Sequence, residues 1–243
     1  MKLIKLNAIA STSSFLKELA QNSALENFTV VTTNEQTKGR GQQSNSWVSQ
    51  PHKNLTVSLF IKDFNLKIKQ QKYLNFAISL AVFEVLFNEK IPKLSIKWPN
   101  DIMSANHKIC GILIENNLRS HQINTTIVGI GLNVNQTEFP EFLKNVTSLK
   151  KIKNIDYNLD HLLLKLVEKV KEKIHLLSSK KYDELENDYV HVLYKKNTPT
   201  MFKNSSDVLF MGIIKGISAS GNLLVELEDE TIKEFGIKQI SLA

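Results

Sequence analysis

The spacing of apolar and polar residues along the chain predicts a protein of mixed helices and strands. Apolar side chains recur every three or four residues in long stretches that predict helices at residues 69–88, 158–177 and 181–194. A shorter amphipathic stretch follows Ser13, which is expected to cap that helix. Runs of β-branched and apolar residues predict strands at residues 28–33, 55–61, 94–98, 108–116 and 123–134. A polar hairpin segment joins the last two, which favours an antiparallel sheet.

The character of the sequence changes between Lys195 and Pro199. Beyond that point, turn residues separate short stretches of strand-forming residues at 208–217, 222–227 and 231–235. Short strands in close succession are typical of a small barrel. We therefore expect two domains, at residues 1–195 and 196–243.

Length and composition fit a folded protein with a sizeable core. The chain has 243 residues, of which 42% are hydrophobic and 23% charged. Its net charge is +7, but the basic residues are spread among the acidic ones without a dense basic run. The apolar stretch at the N-terminus is too short for a signal peptide, and no later stretch is long enough to cross a membrane. These features predict a cytoplasmic protein.

Several familiar kinds of site lack their motifs. The chain has no Gly-x-x-x-x-Gly-Lys-Ser/Thr sequence, and Gly129-Ile130-Gly131 lacks the third glycine of a dinucleotide-binding turn. The histidines show no metal-ligand spacing, and no Gly-x-Ser-x-Gly turn surrounds Ser11 or Ser13. The single cysteine, Cys110, excludes an internal disulfide and is expected to be a buried small hydrophobe.

The polar loop from Gln36 to Trp47 is the first candidate for chemistry. It contains Gly39-Arg40-Gly41, and two glycines let a backbone approach a ligand closely and turn its N–H groups toward an anion. Arg40 is one of two arginines in a lysine-rich chain, and its planar guanidinium is not replaced easily by an ammonium. Further on stand Lys97-Trp98-Pro99-Asn100-Asp101 and Lys108. Together these segments predict an anion-binding site.

Five segments follow one another along the chain. They are Ser11-Thr12-Ser13, Gly39-Arg40-Gly41 with Trp47, Lys97-Trp98-Pro99-Asn100-Asp101, Lys108-Ile109-Cys110-Gly111-Ile112-Leu113-Ile114-Glu115, and Gly129-Ile130-Gly131-Leu132-Asn133-Val134-Asn135. Taken singly, each has a structural interpretation as a turn or a core residue. In this order and spacing they resemble the catalytic domain of the biotin protein ligase family, biotin–acetyl-CoA-carboxylase ligase.

The resemblance covers nearly the whole chain, since residues 212–216, 221–226 and 236–242 resemble that family's C-terminal domain. It implies an α+β fold with a class II synthetase-like catalytic domain, in which a mixed or antiparallel sheet packs with helices. A small C-terminal SH3-like β-barrel would follow. Because the motifs begin at residue 11, the resemblance also implies a short form without the helix-turn-helix DNA-binding domain of some members.

The resemblance implies an ATP-dependent ligase that works in two steps. Biotin would react with ATP to give biotinyl-5′-AMP, and a lysine of a biotin carboxyl carrier domain would then take the biotinyl group. Because a carboxylate and a polyphosphate are both anions, fixed cations at the α-phosphate would lower the barrier most. Lys108 and Arg40 are expected to be these catalytic cations, with Lys97 nearby. Mg²⁺ is expected to accompany the triphosphate.

Other residue roles are carried over from the family's motifs. The expected biotin-binding residues are Ser11, Thr12, Ser13, Gln36, Gly39, Arg40, Gly41, Gln42, Trp47, Lys108, Gly111 and Ile112. The expected nucleotide-binding residues are Arg40, Gln42, Trp98, Asn100, Asp101, Lys108 and Asn133. Among these, Trp47 and Trp98 would form aromatic walls, and Asp101 would hold magnesium.

Three positions depart from the family's pattern. Gln42 stands where a second arginine is usual, Ser44 where glycine is usual, and Ser13 where asparagine is usual. The lost charge at Gln42 predicts that the adenylate is either held through Lys108 and Arg40 alone or released more readily. We also expect residues 38–46 to order over the ligand and to be mobile without it.

Two other functions are left open. A lipoate or octanoate protein ligase belongs to the same superfamily, and the Lys97–Asp101 segment with the C-terminal barrel favours biotin over it. A non-catalytic module that binds RNA or another polyanion would bind in a salt-dependent way, without ATP–pyrophosphate exchange. The expected protein partner is the carrier domain of acetyl-CoA carboxylase or a related carboxylase, and an exposed sheet edge would allow a homodimer.

Overall fold

The computed structural model describes residues 2–42 and 45–243. Within that part of the chain, the helices are α1 (Thr12–Asn22), α2 (Gln71–Asn88), α3 (Leu149–Lys153), α4 (Leu159–Ser178) and α5 (Tyr182–His191). The strands are β1 (Leu3–Ile9), β2 (Thr29–Gln36), β3 (Gly39–Arg40), β4 (Ser46–Trp47), β5 (Leu55–Lys67), β6 (Leu94–Lys97), β7 (Asp101–Ser104), β8 (His107–Arg119), β9 (Gln122–Leu132), β10 (Pro199–Asn204), β11 (Leu209–Ile217), β12 (Leu223–Leu227), β13 (Ile232–Phe235) and β14 (Ile240–Leu242). The predicted α+β class is confirmed.

The main sheet contains seven strands in the described residues. Their order is β1, β2, β5, β9, β8, β7, β6. β1 and β2 run parallel, whereas the other neighbouring pairs are antiparallel. The sheet is therefore mixed, with a continuous antiparallel part that carries the candidate site.

Alternating side chains give the main sheet two apolar faces. Val31, Phe60 and Ile127 pack with Leu16 of α1 on one face. Their neighbours in sequence, such as Val30, point to the opposite face and join the main core. This alternation is the expected consequence of the two-residue period of a strand.

The predicted long helix, α2, lies in that main core. It is apolar on most sides because it packs against the sheet, α4 and α5 together.

The prediction that Ser13 caps α1 is wrong. Ser11 is the N-cap and accepts a hydrogen bond from the Ser14 N–H, whereas Ser13 lies in the first helical turn.

The C-terminal strands form a separate sheet in the order β13, β12, β11, β10, β14. All four of its neighbouring pairs are antiparallel. In residues 196–243, all of which the structure describes, the end strands β13 and β14 form no ladder with each other. The predicted short strands are confirmed, but their predicted closure into a barrel is not found.

The remaining predictions about single elements have mixed outcomes. Cys110 is fully buried, as predicted, and burial raises the pKa of its thiol. Strands β1, β7, β10 and β14, helix α3 and the β3–β4 hairpin were not predicted. Among the described residues, no helix combines the length and apolar character needed to cross a membrane.

Candidate active site

A cavity of about 370 Å³ lies between the main sheet, the β3–β4 hairpin and the C-terminal sheet. It brings together all the predicted site residues except Gly39 and Asn133. Those that line it are Ser11, Thr12, Ser13, Gln36, Arg40, Gly41, Gln42, Trp47, Lys97, Trp98, Asn100, Asp101, Lys108, Gly111 and Ile112. Segments that are distant in sequence therefore meet at one place.

Hydroxyl groups at the start of α1 form a buried network at one side of the cavity. The Thr12 hydroxyl lies 2.8 Å from Ser58 Oγ, and Ser13 Oγ lies 2.9 Å from the same atom. The Thr12 backbone N–H donates to Gln36 Oε1 at 2.9 Å. Ser58, which sequence reasoning missed, thus fixes two predicted biotin-binding residues at the start of α1.

Two glycines and a tryptophan form one wall. Gly111 on β8 is paired with Gly131 on β9, and the Trp47 indole lies against both. A Cβ atom at Gly131 would come within 2.7 Å of Trp47 Nε1, and one at Gly111 would come within 3.1 Å of the Trp47 ring. The Trp47 Nε1–H is buried and has no hydrogen-bond partner among the described residues. Such an unpaired buried donor is uncommon in folded proteins.

The Gly-Arg-Gly loop folds as a short hairpin beside the cavity. Gly39 pairs with Trp47 and Arg40 with Ser46. The guanidinium of Arg40 forms an ion pair with Glu115 on β8. Gly39 lines a neighbouring hollow rather than the main cavity, and residue 44, where the sequence departs from the family's glycine, lies outside the described residues.

The Lys97–Asp101 segment is a hairpin turn between β6 and β7. Lys97 and Asp101 are paired across the turn, and Lys108 Nζ lies 2.7 Å from Asp101 Oδ1. Burial lowers the pKa of the Lys97 ammonium; Asp101 opposes this shift, and Lys108 adds to it. An anion that binds near Lys97 would relieve this repulsion between cations.

Trp98 and Asn100, within this turn, are held in different ways. Trp98 Nε1–H donates to the Gly221 carbonyl of the C-terminal sheet at 3.0 Å. The Asn100 side-chain amide donates to the Ile112 carbonyl, and the Ile112 N–H donates to the Asn100 carbonyl at 3.2 Å. Asn100 thus ties the turn to β8, and one of its two side-chain N–H bonds is used in the hydrogen bond to Ile112.

Asn133 is a predicted nucleotide-binding residue that the structure places outside the cavity lining. It is buried just after β9, and its side-chain amide donates to the Thr147 carbonyl at 3.1 Å. Its Oδ1 atom has no hydrogen-bond partner in the described part of the chain. The structure does not bring Asn133 to the cavity wall.

Sequence reasoning missed a further set of lining residues. Those from the main sheet and its neighbours are Thr56, Val57, Leu113, Gly129, Ile130, Gly131 and Tyr194, and those from the C-terminal part are Phe202, Ile214, Leu223, Ile237, Lys238, Ile240, Ser241 and Leu242. The Gly129-x-Gly131 pair is recognisable as a motif in the sequence, but no packing partner was predicted for it. The C-terminal residues carry no local signal, because only the packing of the two sheets brings them to the cavity.

The charges around the cavity favour an anionic ligand. The described lining residues include four cationic side chains, Arg40, Lys97, Lys108 and Lys238, and one carboxylate, that of Asp101. Cations that converge in a partly enclosed site attract anions more strongly than the same charges spread over a surface. Among the described residues, no three acidic, histidine or cysteine side chains are close enough to form a metal site by themselves.

Comparisons with known proteins show what this chain is similar to. The model of the Biotin/lipoate A/B protein ligase family matches residues 6–135. The chain is 34% identical to the bifunctional ligase/repressor BirA of Bacillus spizizenii over 148 residues, which are 60% of this chain and 45% of that protein. The match therefore spans less than half of that relative.

Two other relatives are similar over most of the chain. The bifunctional ligase/repressor BirA of Escherichia coli (strain K12) is 26% identical over 251 residues, which cover 98% of this chain and 73% of that protein. A biotin protein ligase from Aquifex aeolicus, solved in complex with biotin and ATP, has a TM-score of 0.82 and 29% identity, and the match covers 100% of this chain and 98% of that one. Since the family model matches more than half of its length, the chain belongs to the biotin/lipoate A/B protein ligase family.

Proposed function

We propose that this protein is a biotin protein ligase. The biotin carboxylate attacks the α-phosphate of ATP and releases pyrophosphate, which leaves biotinyl-5′-AMP. The amine of an acceptor lysine then attacks the acyl carbonyl and releases AMP. The observation that carries this proposal is the meeting of the Gly39–Trp47 hairpin, the Lys97–Asp101 turn and Lys108 around one cationic cavity. The solved relative from Aquifex aeolicus, described with biotin and ATP, supports the same pair of substrates.

We assign the α-phosphate to Lys108 and Arg40. Each has a carboxylate partner, Asp101 for Lys108 and Glu115 for Arg40, which holds the cation beside the cavity. Burial is the main reason that the pKa of Lys97 is lowered, and repulsion by Lys108 adds to it; phosphate oxygens would share these cations and would offset both effects. Positive charge fixed before the reaction stabilises the charge that develops at phosphorus.

We assign biotin to the side of the cavity formed by the start of α1 and the glycine wall. Thr12 and Ser13 present hydroxyls that Ser58 fixes in place, and polar groups on a bicyclic urea need such donors and acceptors. Gly111 and Gly131 let the Trp47 indole lie flat against β8 and β9, so that the indole can form one wall of the biotin site.

Magnesium would enter with the triphosphate. Mg²⁺ in such sites is commonly bound by one or two carboxylates together with phosphate oxygens. Asp101 is the carboxylate on the cavity wall, so the residues present fit a metal that the nucleotide brings. When bound, the ion would neutralise part of the charge on the phosphates.

The acceptor and the division of the chain are part of the same proposal. We assign the acceptor lysine to a carrier domain of a biotin-dependent carboxylase, since a relative from Paracoccus denitrificans is named biotin–[acetyl-CoA-carboxylase] ligase. Residues 1–195 would form the catalytic domain. Residues 196–243 would form a small second domain, because their strands pair only with one another among the described residues. This domain would complete the cavity wall through residues such as Lys238.

Biotin-dependent exchange of pyrophosphate into ATP tests the proposal. We expect exchange with biotin, and we expect Lys108→Ala to reduce its rate by about a hundredfold, as for loss of a group that stabilises a transition state. Lys165→Ala is the matched control, because Lys165 pairs with Glu89 on the helical side of the molecule. Its exchange rate should be that of the unchanged protein.

Two results would remove this proposal. Exchange that depends on lipoate or octanoate rather than biotin would assign the chain to the other branch of its family. Salt-dependent RNA binding with no exchange would favour a non-catalytic module.

A further inference from the structure

Lys72 on α2 is a buried lysine that does not line the cavity. Its side chain is 7% exposed, and Nζ lies 2.9 Å from Glu186 Oε1 on α5. The same ammonium donates to the Ser218 carbonyl of the C-terminal part at 3.1 Å. A buried ammonium requires partners to offset its lost hydration. Lys72 therefore links α2, α5 and the C-terminal part at one point.

The Ser218 carbonyl belongs to a tight turn, residues 218–222, between β11 and β12. Ser218 N–H donates to the Asn222 carbonyl at 2.8 Å, and Gly221 N–H donates to the Ser218 carbonyl at 3.0 Å. Gly221 has a φ of +91°, which a side chain would strain. Glu234 accepts from Ser218 Oγ at 2.7 Å and from the Asn222 amide at 2.9 Å. The turn therefore has a well-defined shape.

This turn also contacts the cavity wall through Trp98. The Gly221 carbonyl accepts the indole N–H of Trp98 at 3.0 Å. Gly221 packs directly on Lys72, since a Cβ atom there would lie 3.1 Å from Lys72 Cβ. Lys72 therefore binds the Ser218 carbonyl near the start of the turn, and Trp98 binds the Gly221 carbonyl near its end.

We propose that Lys72 is a positioning residue for nucleotide binding: it anchors the 218–222 turn, whose Gly221 carbonyl fixes the Trp98 ring at the cavity. This proposal rests on the proposed function, because ATP is the ligand whose binding would depend on Trp98. Lys72 touches no part of the cavity itself. Its effect passes through one backbone turn of the C-terminal sheet.

Lys72→Met is the direct test, because methionine keeps much of the length and removes the ammonium. We expect the KM for ATP to rise by about fivefold, the order expected for one lost hydrogen bond, while the KM for biotin stays unchanged. Lys173→Met is the matched control. Lys173 is a lysine with an 8% exposed side chain that pairs with Glu84, and its loss should lower stability without changing either KM.

Gly221→Ala provides a second variant that leaves α2 untouched. The added Cβ atom meets Lys72 in a backbone conformation that suits glycine, so the same rise in the KM for ATP is expected. If both variants keep the KM for ATP of the unchanged protein, the proposal is overturned. A rise in Lys173→Met equal to that in Lys72→Met would also overturn it, since the effect would then follow from stability alone.

A spectroscopic readout separates this proposal from the proposed function. The chain has two tryptophans, so Trp47→Phe leaves Trp98 as the emitter. In that background, Lys72→Met should increase the quenching of Trp98 by acrylamide, and Lys173→Met should not. Unchanged quenching would refute the anchoring of Trp98 even in a protein with no exchange activity. Increased quenching in this background, together with no exchange by the unchanged protein, would retain the anchoring and reject the ligase.

Discussion

Single glycines decide whether the cavity wall can form. Gly129 lies beside the start of α1, and a Cβ atom on it would come within 2.7 Å of Ser13 Oγ. That hydroxyl is already fixed 2.9 Å from Ser58 Oγ. The Gly129-x-Gly131 pair is thus explained by the side chains that pack against it.

Gly129→Ala should therefore weaken biotin binding. The new methyl group displaces the Ser13 hydroxyl, and we expect the KM for biotin to rise about fivefold, as for one lost hydrogen bond. The KM for ATP should change little. Gly216→Ala is the control, since a Cβ atom at Gly216 would meet no atom within 4 Å. An unchanged KM for biotin in Gly129→Ala would contradict the placement of biotin beside α1.

Gln42 is the residue at which the chain departs most from its family's charge pattern. It lines the cavity beside Arg40 and Gly41. Gln42→Arg would add a cation where the adenylate phosphate is expected, and we predict that the adenylate dissociates about tenfold more slowly, the order of a charge-assisted hydrogen bond. Single-turnover release of labelled adenylate measures this rate.

The exposed Gln50 provides the control for that prediction. Gln50→Arg adds the same charge outside the cavity and should leave the dissociation rate unchanged. Equal rates for Gln42→Arg and the unchanged protein would mean that Gln42 does not face the adenylate phosphate.

At the scale of elements, the start of α1 serves both the fold and the site. Ser11 caps the helix through a hydrogen bond of 3.4 Å to the Ser14 N–H and also lines the cavity. Asn158 caps α4 through a bond of 3.0 Å to the His161 N–H, and it does not line the cavity. These two caps allow stability to be separated from binding.

Ser11→Ala and Asn158→Ala should each lower the free energy of unfolding by about 1 kcal/mol or less, as expected for a lost helix cap. The loss at Ser11 should be the smaller, because its hydrogen bond is longer. The KM for biotin should rise in Ser11→Ala alone. Chemical denaturation and steady-state kinetics measure the two effects, and a matching rise in Asn158→Ala would contradict the assignment.

Long periodic elements could be predicted from the sequence, whereas several short elements could not. The predicted helix at 69–88 appears as α2 after a short 3-10 turn, and the predicted helix at 158–177 appears as α4. Strand β7 and the β3–β4 hairpin were missed because two to four residues show no recognisable period. β1 was missed because its pattern of exposure is irregular, at the edge of the sheet.

At the scale of the whole molecule, the C-terminal sheet completes the cavity. Lys238 and several apolar residues of that sheet lie on its wall. Motifs alone could predict most of the main-domain side of the site, since each motif is continuous in sequence. The C-terminal side arises from the packing of two sheets, which no local pattern records.

Lys238→Ala tests this contribution. We expect the KM for ATP to rise about threefold, because one partly solvated cation near a polyphosphate adds only a modest electrostatic stabilisation. The KM for biotin should stay unchanged. Lys233→Ala is the matched control, since Lys233 lies over the Phe235 ring on the same sheet and does not line the cavity. Equal KM values for the two variants would contradict a part for Lys238 in nucleotide binding.

The central claim is that this cavity joins biotin to the α-phosphate of ATP. Its most direct measurement is to mix the purified protein with biotin, magnesium and ATP labelled at the α-phosphate, and to separate the products. We predict labelled biotinyl-5′-AMP that forms only when biotin is present and that is nearly absent with Lys108→Ala. Labelled ATP left unchanged, or AMP formed equally without biotin, would contradict the account.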